Sequence, residues 1–159
     1  MKNQRSVIGF KKFEKGQSLI ELAVSLTLLL LMLGGIVDLG RAIFTRFAMQ
    51  DAASEGITYG TSFPTDCVGI HHRIEYNLGS RSLGGGMTTV VEIENNGGQY
   101  MECENIPLAQ VYAGKHIRVT VTKTFQITMP FLGTFIGQEI PLTATTNGII
   151  LRPQPPDPT

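Results

Sequence analysis

From Leu22 to Val37 the chain runs without a single charged residue, and the stretch before it is basic: Lys2, Arg5, Lys11, Lys12 and Lys15 against one acid, Glu14. Counted from Leu19 to Val37, the apolar run is close to the ~20 residues that cross a hydrocarbon core of ~30 Å. It reads as a single membrane span. Lys and Arg beside a span resist translocation, so the basic side is expected in the cytoplasm and the remainder of the chain outside. A cleavable secretory signal is the competing reading. Its apolar region would be unusually long, and Gly34-Gly35-Ile36-Val37-Asp38 offers no A-x-A-like site.

Glu21 lies about one helical turn into the apolar run. A charged side chain at the bilayer centre costs roughly 2.5–3.5 kcal/mol, and less near an end. Two explanations stay open. Either the carboxylate snorkels to the interface of an ordinary anchor, or the chain is cut after Gly16. In the second case the new ammonium on Gln17 lies one turn from Glu21, of the same copy or of a neighbour, and the two charges pair.

The segment Gly16-Gln17-Ser18-Leu19-Ile20-Glu21 resembles a class III signal, in which a prepilin peptidase cuts after a Gly and the fifth residue of the mature chain is Glu. Ile36-Val37-Asp38-Leu39-Gly40-Arg41-Ala42-Ile43-Phe44, followed by Ala52-Ala53-Ser54-Glu55-Gly56, is similar to the TadE-like pseudopilins of tight-adherence pilus systems. The similarity covers about the first sixty residues. It implies cleavage between Gly16 and Gln17, an assembly role for Glu21, and a minor or accessory part in pilus biogenesis. Implied partners are a prepilin peptidase, other pilin or pseudopilin subunits, a pilus assembly platform and the lipid bilayer. The implied location is the cytoplasmic membrane, single-pass, or an extracellular filament.

Thirteen basic residues balance thirteen acidic ones, which leaves no electrostatic footprint for nucleic acid. Once leader and span are set aside, about 120 residues remain, enough for one modest core. The expected organisation is a basic leader (1–16), a membrane-spanning and extended helix (17–60), an extracytoplasmic α+β domain (61–151) and a Pro-rich tail (152–159).

The helical pattern continues past the span. Ile36, Leu39, Ile43, Phe47 and Ile57 recur at three- and four-residue steps, with Asp38, Arg41, Arg46, Asp51 and Glu55 among the rest. A helix from Gln17 to about Tyr59 would be roughly 65 Å long and needs something to pack against. Ala48, Ala52, Gly56 and Gly60 form a strip of small residues that admits another backbone, either the protein's own sheet or a neighbouring subunit's helix. Pro64 marks a break and Asp66 can cap a second helix from about Cys67 to Leu78, with Ile70, Ile74 and Leu78 on one face.

Cys67 and Cys103 both fall in the outward portion. A disulfide would close a loop of over thirty residues, worth ~3–4 kcal/mol if unstrained; two free thiols are the plain alternative. A metal site of Cys67, His71 and His72 lacks a second ligand pair, so no metal is expected.

Leu83 to Gly86 reads as a loop, and three strands should follow, at about Thr88–Glu94, His116–Thr128 and Glu139–Leu151, the last broken by Gly148. Lys123 breaks the apolar alternation of the second, which suggests a bulge, an edge or the end of the covered region. The expected fold is α+β, a long N-terminal helix on a small antiparallel sheet, which is also what pilin-like proteins show. Between the last two strands, Met129 to Gly137 is unusually apolar, so Phe131, Leu132, Phe135 and Ile136 either fold onto the core or touch a neighbour or the outer leaflet.

No nucleotide-binding glycine fingerprint, HExxH, CxxC or nucleophile elbow is present, so no enzyme and no cofactor is expected. The rival class is an uncleaved, single-pass anchored binding or adhesion module of the envelope.

Overall fold

The structure, a computed structural model, describes residues 14–80, 86–129, 133–134 and 137–151. It is α+β. Helix α1 (Glu14–Ser62) and helix α2 (Cys67–Ser80) precede strands β1 (Met87–Glu94), β2 (Tyr100–Glu102), β3 (His116–Gln126) and β4 (Glu139–Ile149). The strands form one antiparallel sheet in the order β2-β1-β3-β4. The chain divides into two compact units, Met1–Val37 and Asp38–Thr159, so the division falls inside α1.

In the first unit, large apolar side chains including Leu19, Leu22, Leu26, Leu30 and Leu33 are exposed. A helix with this length and composition is apolar enough to cross a membrane. It is the single N-terminal anchor of the described chain.

In the second unit, α1 turns its small residues inward. Ala48, Met49, Ala52, Ala53, Gly56, Ile57 and Gly60 are buried. A Cβ on Gly56 would lie 2.5 Å from Ile74 Cγ1, and one on Gly60 would lie 2.8 Å from Ile117 Cδ1. At Gly56 and Gly60 the strip is therefore met by the chain's own α2 and β3. Of the apolar series Ile36, Leu39, Ile43, Phe47 and Ile57, only Ile57 is buried. That series is not the packing face; the buried face carries Ala48, Met49, Ala52, Ala53, Gly56, Ile57 and Gly60 instead.

Helix α1 ends where Phe63 precedes Pro64, which disfavours helical backbone. Asp66 then caps α2: its Oδ1 accepts the Gly69 N–H at 2.9 Å. Ile70, Ile74 and Leu78 are buried against the sheet side, joined by Val91, Ile93, Ile117, Val119, Val121 and Ala144. Full burial of each isoleucine contributes roughly 1.5–3 kcal/mol, which holds the otherwise short α2 in place.

Strand β3 is central. Lys123 pairs with both Met87 and Leu142 in an unbroken register, so there is neither bulge nor edge, and Phe125, two residues on, is buried, so the covered region does not end there either. Two expectations about the sheet are corrected. A fourth strand, β2, exists because Asn95 Oδ1 accepts the N–H groups of Gly97 and Gln99 and Gly98 adopts φ +76°, closing a tight hairpin after β1. Strand β4 also runs through Gly148, which pairs with Ile117. There a Cβ would stand 2.5 Å from Ile57 Cγ2 and 2.9 Å from Thr61 Cγ2, so the missing side chain is room for α1. The expectations for residues 83–85, for the side chains of Phe131, Leu132, Phe135 and Ile136, and for the tail 152–159 lie outside the described residues.

Candidate functional site

Asp38 is the first residue after the apolar run and is only 6% exposed. A buried carboxylate needs partners, and here they come from both near and far. Three residues on, the Arg41 guanidinium meets Asp38 Oδ1 at 3.2 Å. Oδ2 accepts two backbone N–H groups from the end of the β3 side, Thr128 at 3.1 Å and Met129 at 2.9 Å. Arg41 also donates to the Thr128 hydroxyl and lies 5.5 Å from the centre of the Phe125 ring. Thr45, likewise buried, donates its hydroxyl to the Arg41 carbonyl at 2.8 Å. The arrangement clamps the chain leaving β3 onto the turn of α1 that follows the apolar run, and its net charge is zero. In the sequence, Asp38 and Arg41 stand in the TadE-like segment and among the polar positions of the helical pattern, with no site assigned to them. The signal available was an acid directly after a span with a cation three residues on; the partners, about ninety residues away, carried none.

The residues expected at a processing site belong to the first unit. Gly16 and Gln17 lie in α1 and are exposed, and nothing stands within 4 Å of where a Cβ on Gly16 would be. Glu21 is exposed and faces no cation among the described residues.

Cys67 and Cys103 are brought together in a disulfide with a Cα–Cα distance of 5.8 Å. It ties the first turn of α2 to the residue after β2. With its sulfur in that bond, Cys67 is no metal ligand, and among the described residues no cluster of His, Cys, Asp and Glu could hold a metal ion. His71 is half-buried and His72 is exposed, stacked on Tyr76.

Two further carboxylates in the second unit, Asp66 and Glu94, have lowered pKa values. The Tyr59 hydroxyl donates to Asp66 Oδ2 at 2.7 Å and, with the Gly69 N–H, holds the Asp66 carboxyl below its usual range. Glu94 lies 2.6 Å from His116 Nδ1 and also accepts the His116 N–H, and these contacts lower its pKa. Both pairs are structural ties near chain reversals.

Residues 16–57 match the model of the family described as TadE-like protein. The match begins at the glycine of the expected cleavage site, covers the apolar run and the Asp38–Arg41 clamp, and ends at Ile57 in the small-residue packing face. No curated protein and no solved structure matches the chain. Over those residues, about a quarter of the chain, the sequence is similar to TadE-like proteins, and the same segment is an apolar N-terminal helix.

Proposed function

We propose that this chain is a pseudopilin, a minor-pilin-like subunit that acts in assembly of a tight-adherence pilus or a related secretion complex. The observation that carries the reading is the coincidence of the TadE-like match with a helix whose apolar first half is exposed and whose second half packs on a small sheet. In this reading the leader stays in the cytoplasm, α1 anchors the chain in the cytoplasmic membrane, and the sheet domain faces outward. A prepilin peptidase cuts after Gly16.

Cleavage creates an ammonium on Gln17 one helical turn from the exposed Glu21. Paired with the Glu21 of the same or an adjacent copy, it lowers the cost of holding either charge in a poorly solvated layer. Further partners are other pilin or pseudopilin subunits and the assembly platform. Glu21→Gln tests the pairing: processed protein should accumulate in the membrane while filament assembly and surface adhesion fall. Normal assembly by the variant would remove Glu21 from the mechanism.

A further inference from the structure

Strand β1 is paired fully on one side and only partly on the other. Toward β3 its register runs from Met87 to Ile93. Toward β2 it covers Glu92, Ile93 and Glu94, and one further bond runs from the Cys103 N–H to the Val91 carbonyl. The chain then turns away, with the Asn105 N–H on the Glu102 carbonyl. Alternate residues of an antiparallel strand bond to opposite sides, and Asn95 and Val91 bond toward the β2 side, to Gln99 and Cys103. Met87 and Thr89 therefore aim their N–H and C=O groups the same way, where no described strand receives them. Both residues are half-buried, and backbone groups removed from water call for partners.

This unpaired edge opens into a groove. Two cavities, of about 380 Å³ and about 180 Å³, lie between α2 and β1 and share His71 and Thr89 in their walls. Glu75, Leu78 and Met87 complete the larger one, and residues of β1 with Glu102, Cys103 and Glu104 complete the smaller. Three carboxylates thus line the groove, and no Lys or Arg is among the described residues of its walls. Lys123 pairs with Met87 across the β3 ladder, on the side away from the open edge. We infer that the groove binds an extended, basic peptide segment of another protein, which adds to the open edge of β1 in line with β2. Main-chain bonds to Met87 and Thr89 supply the affinity, and the charge of the walls selects the sequence. From Met87 to Val90 the open edge is ~13 Å long at ~3.3 Å per residue, so it takes a segment of about four or five residues. A cation on that segment meets Glu75 at the α2 wall, or Glu102 and Glu104 at the β2 end. The other edge of the sheet, β4, carries Pro141, which has no N–H, and the Leu151 N–H just beyond it is taken by the Thr61 carbonyl. That edge serves as the control.

The inference concerns the second unit alone and depends neither on cleavage nor on pilus assembly. The probe is acetyl-Lys-Val-Lys-Val-Lys-amide, titrated into the isotopically labelled full chain in a zwitterionic detergent and followed by amide NMR. Saturable shifts at Met87 and Thr89, with several-fold slower exchange of both amides, are expected. The same peptide methylated on alternate backbone nitrogens should bind several-fold more weakly, and so should acetyl-Glu-Val-Glu-Val-Glu-amide. Thr89→Pro removes an N–H that points away from β3, so the β1–β3 ladder stays intact while the shift at Met87 is lost. Glu75→Lys, at an exposed position, should weaken binding several-fold. Retention of the Cys67–Cys103 disulfide and unchanged amide shifts in β4 check the folding of both variants. No saturable shift at Met87 and Thr89 overturns the inference, as do shifts centred on β4. Equal binding of the methylated peptide makes the groove a site for cations without strand pairing, and equal binding of the acidic peptide removes its charge selectivity; either result also overturns the inference. All of these outcomes leave the membrane anchor and the pilus reading standing.

Discussion

Asp38→Ala removes the acceptor of two backbone N–H groups and the partner of Arg41 in one step. Hydrogen bonds to a charged group are worth ~1.5–3 kcal/mol each when shielded. The lower end applies here, because Thr128 is exposed and water can take up its amide. The Arg41 pair, half exposed and three residues away on the same helix, adds ~0.3–0.5 kcal/mol. Part of the loss is returned because a carboxylate no longer has to be desolvated. The net destabilisation is ~2–3 kcal/mol, a fall of roughly 6–15 °C in the midpoint of a unit of this size. Asp38→Asn keeps the shape and one acceptor, so about half of that is expected. The assay is thermal unfolding of the full chain in detergent micelles together with amide hydrogen exchange over residues 125–129. An unchanged midpoint, with Thr128 and Met129 as slow to exchange as before, would refute the clamp.

Reducing the Cys67–Cys103 disulfide, or replacing both cysteines with serine, should cost ~3–4 kcal/mol by freeing a 36-residue loop; peptide maps with and without reductant that show both thiols free in the native protein would sink that prediction. Asp66 has a lowered pKa in the folded chain, so its contribution to stability is complete above its ordinary value near 3.8 and is lost as pH falls through the lower folded value. Tyr59→Phe removes the largest cause of that shift, so the Asp66 titration followed by NMR should move to higher pH; an unmoved titration would show that the Tyr59 hydroxyl does not act on it. Gly148→Val drives a side chain into Ile57 and Thr61 and should destabilise by ~1–3 kcal/mol. Gly40→Ala, with open space at its Cβ position, should be neutral or stabilising, and the opposite ranking would contradict the packing of α1 on β4.

The helices were legible because their signals are local: an apolar run flanked by lysines, a proline break, an aspartate cap, and Ile70, Ile74 and Leu78 at four-residue steps. The strip Ala48, Ala52, Gly56, Gly60 was legible as a packing face but not as to its partner, which the structure shows to be α2 and β3. Periodicity misled over Leu39, Ile43 and Phe47 because it sends every large apolar residue to a protein core. The face of α1 that is buried carries Ala48, Met49, Ala52, Ala53, Gly56, Ile57 and Gly60 instead. Strand β2, three residues long, is too short to show a period; its signal was the Asn-Asn-Gly-Gly turn. The burial of Asp38 could not be read at all, because Thr128 and Met129 leave no mark on the residues around it.

The central claim is that a precursor is cut between Gly16 and Gln17 and that the cut chain is the working form. Intact mass of the protein extracted from its native membrane tests it directly. A chain that begins at Gln17 is the predicted result, whereas a population that still begins at Met1 would contradict the account and favour an uncleaved, membrane-anchored binding module.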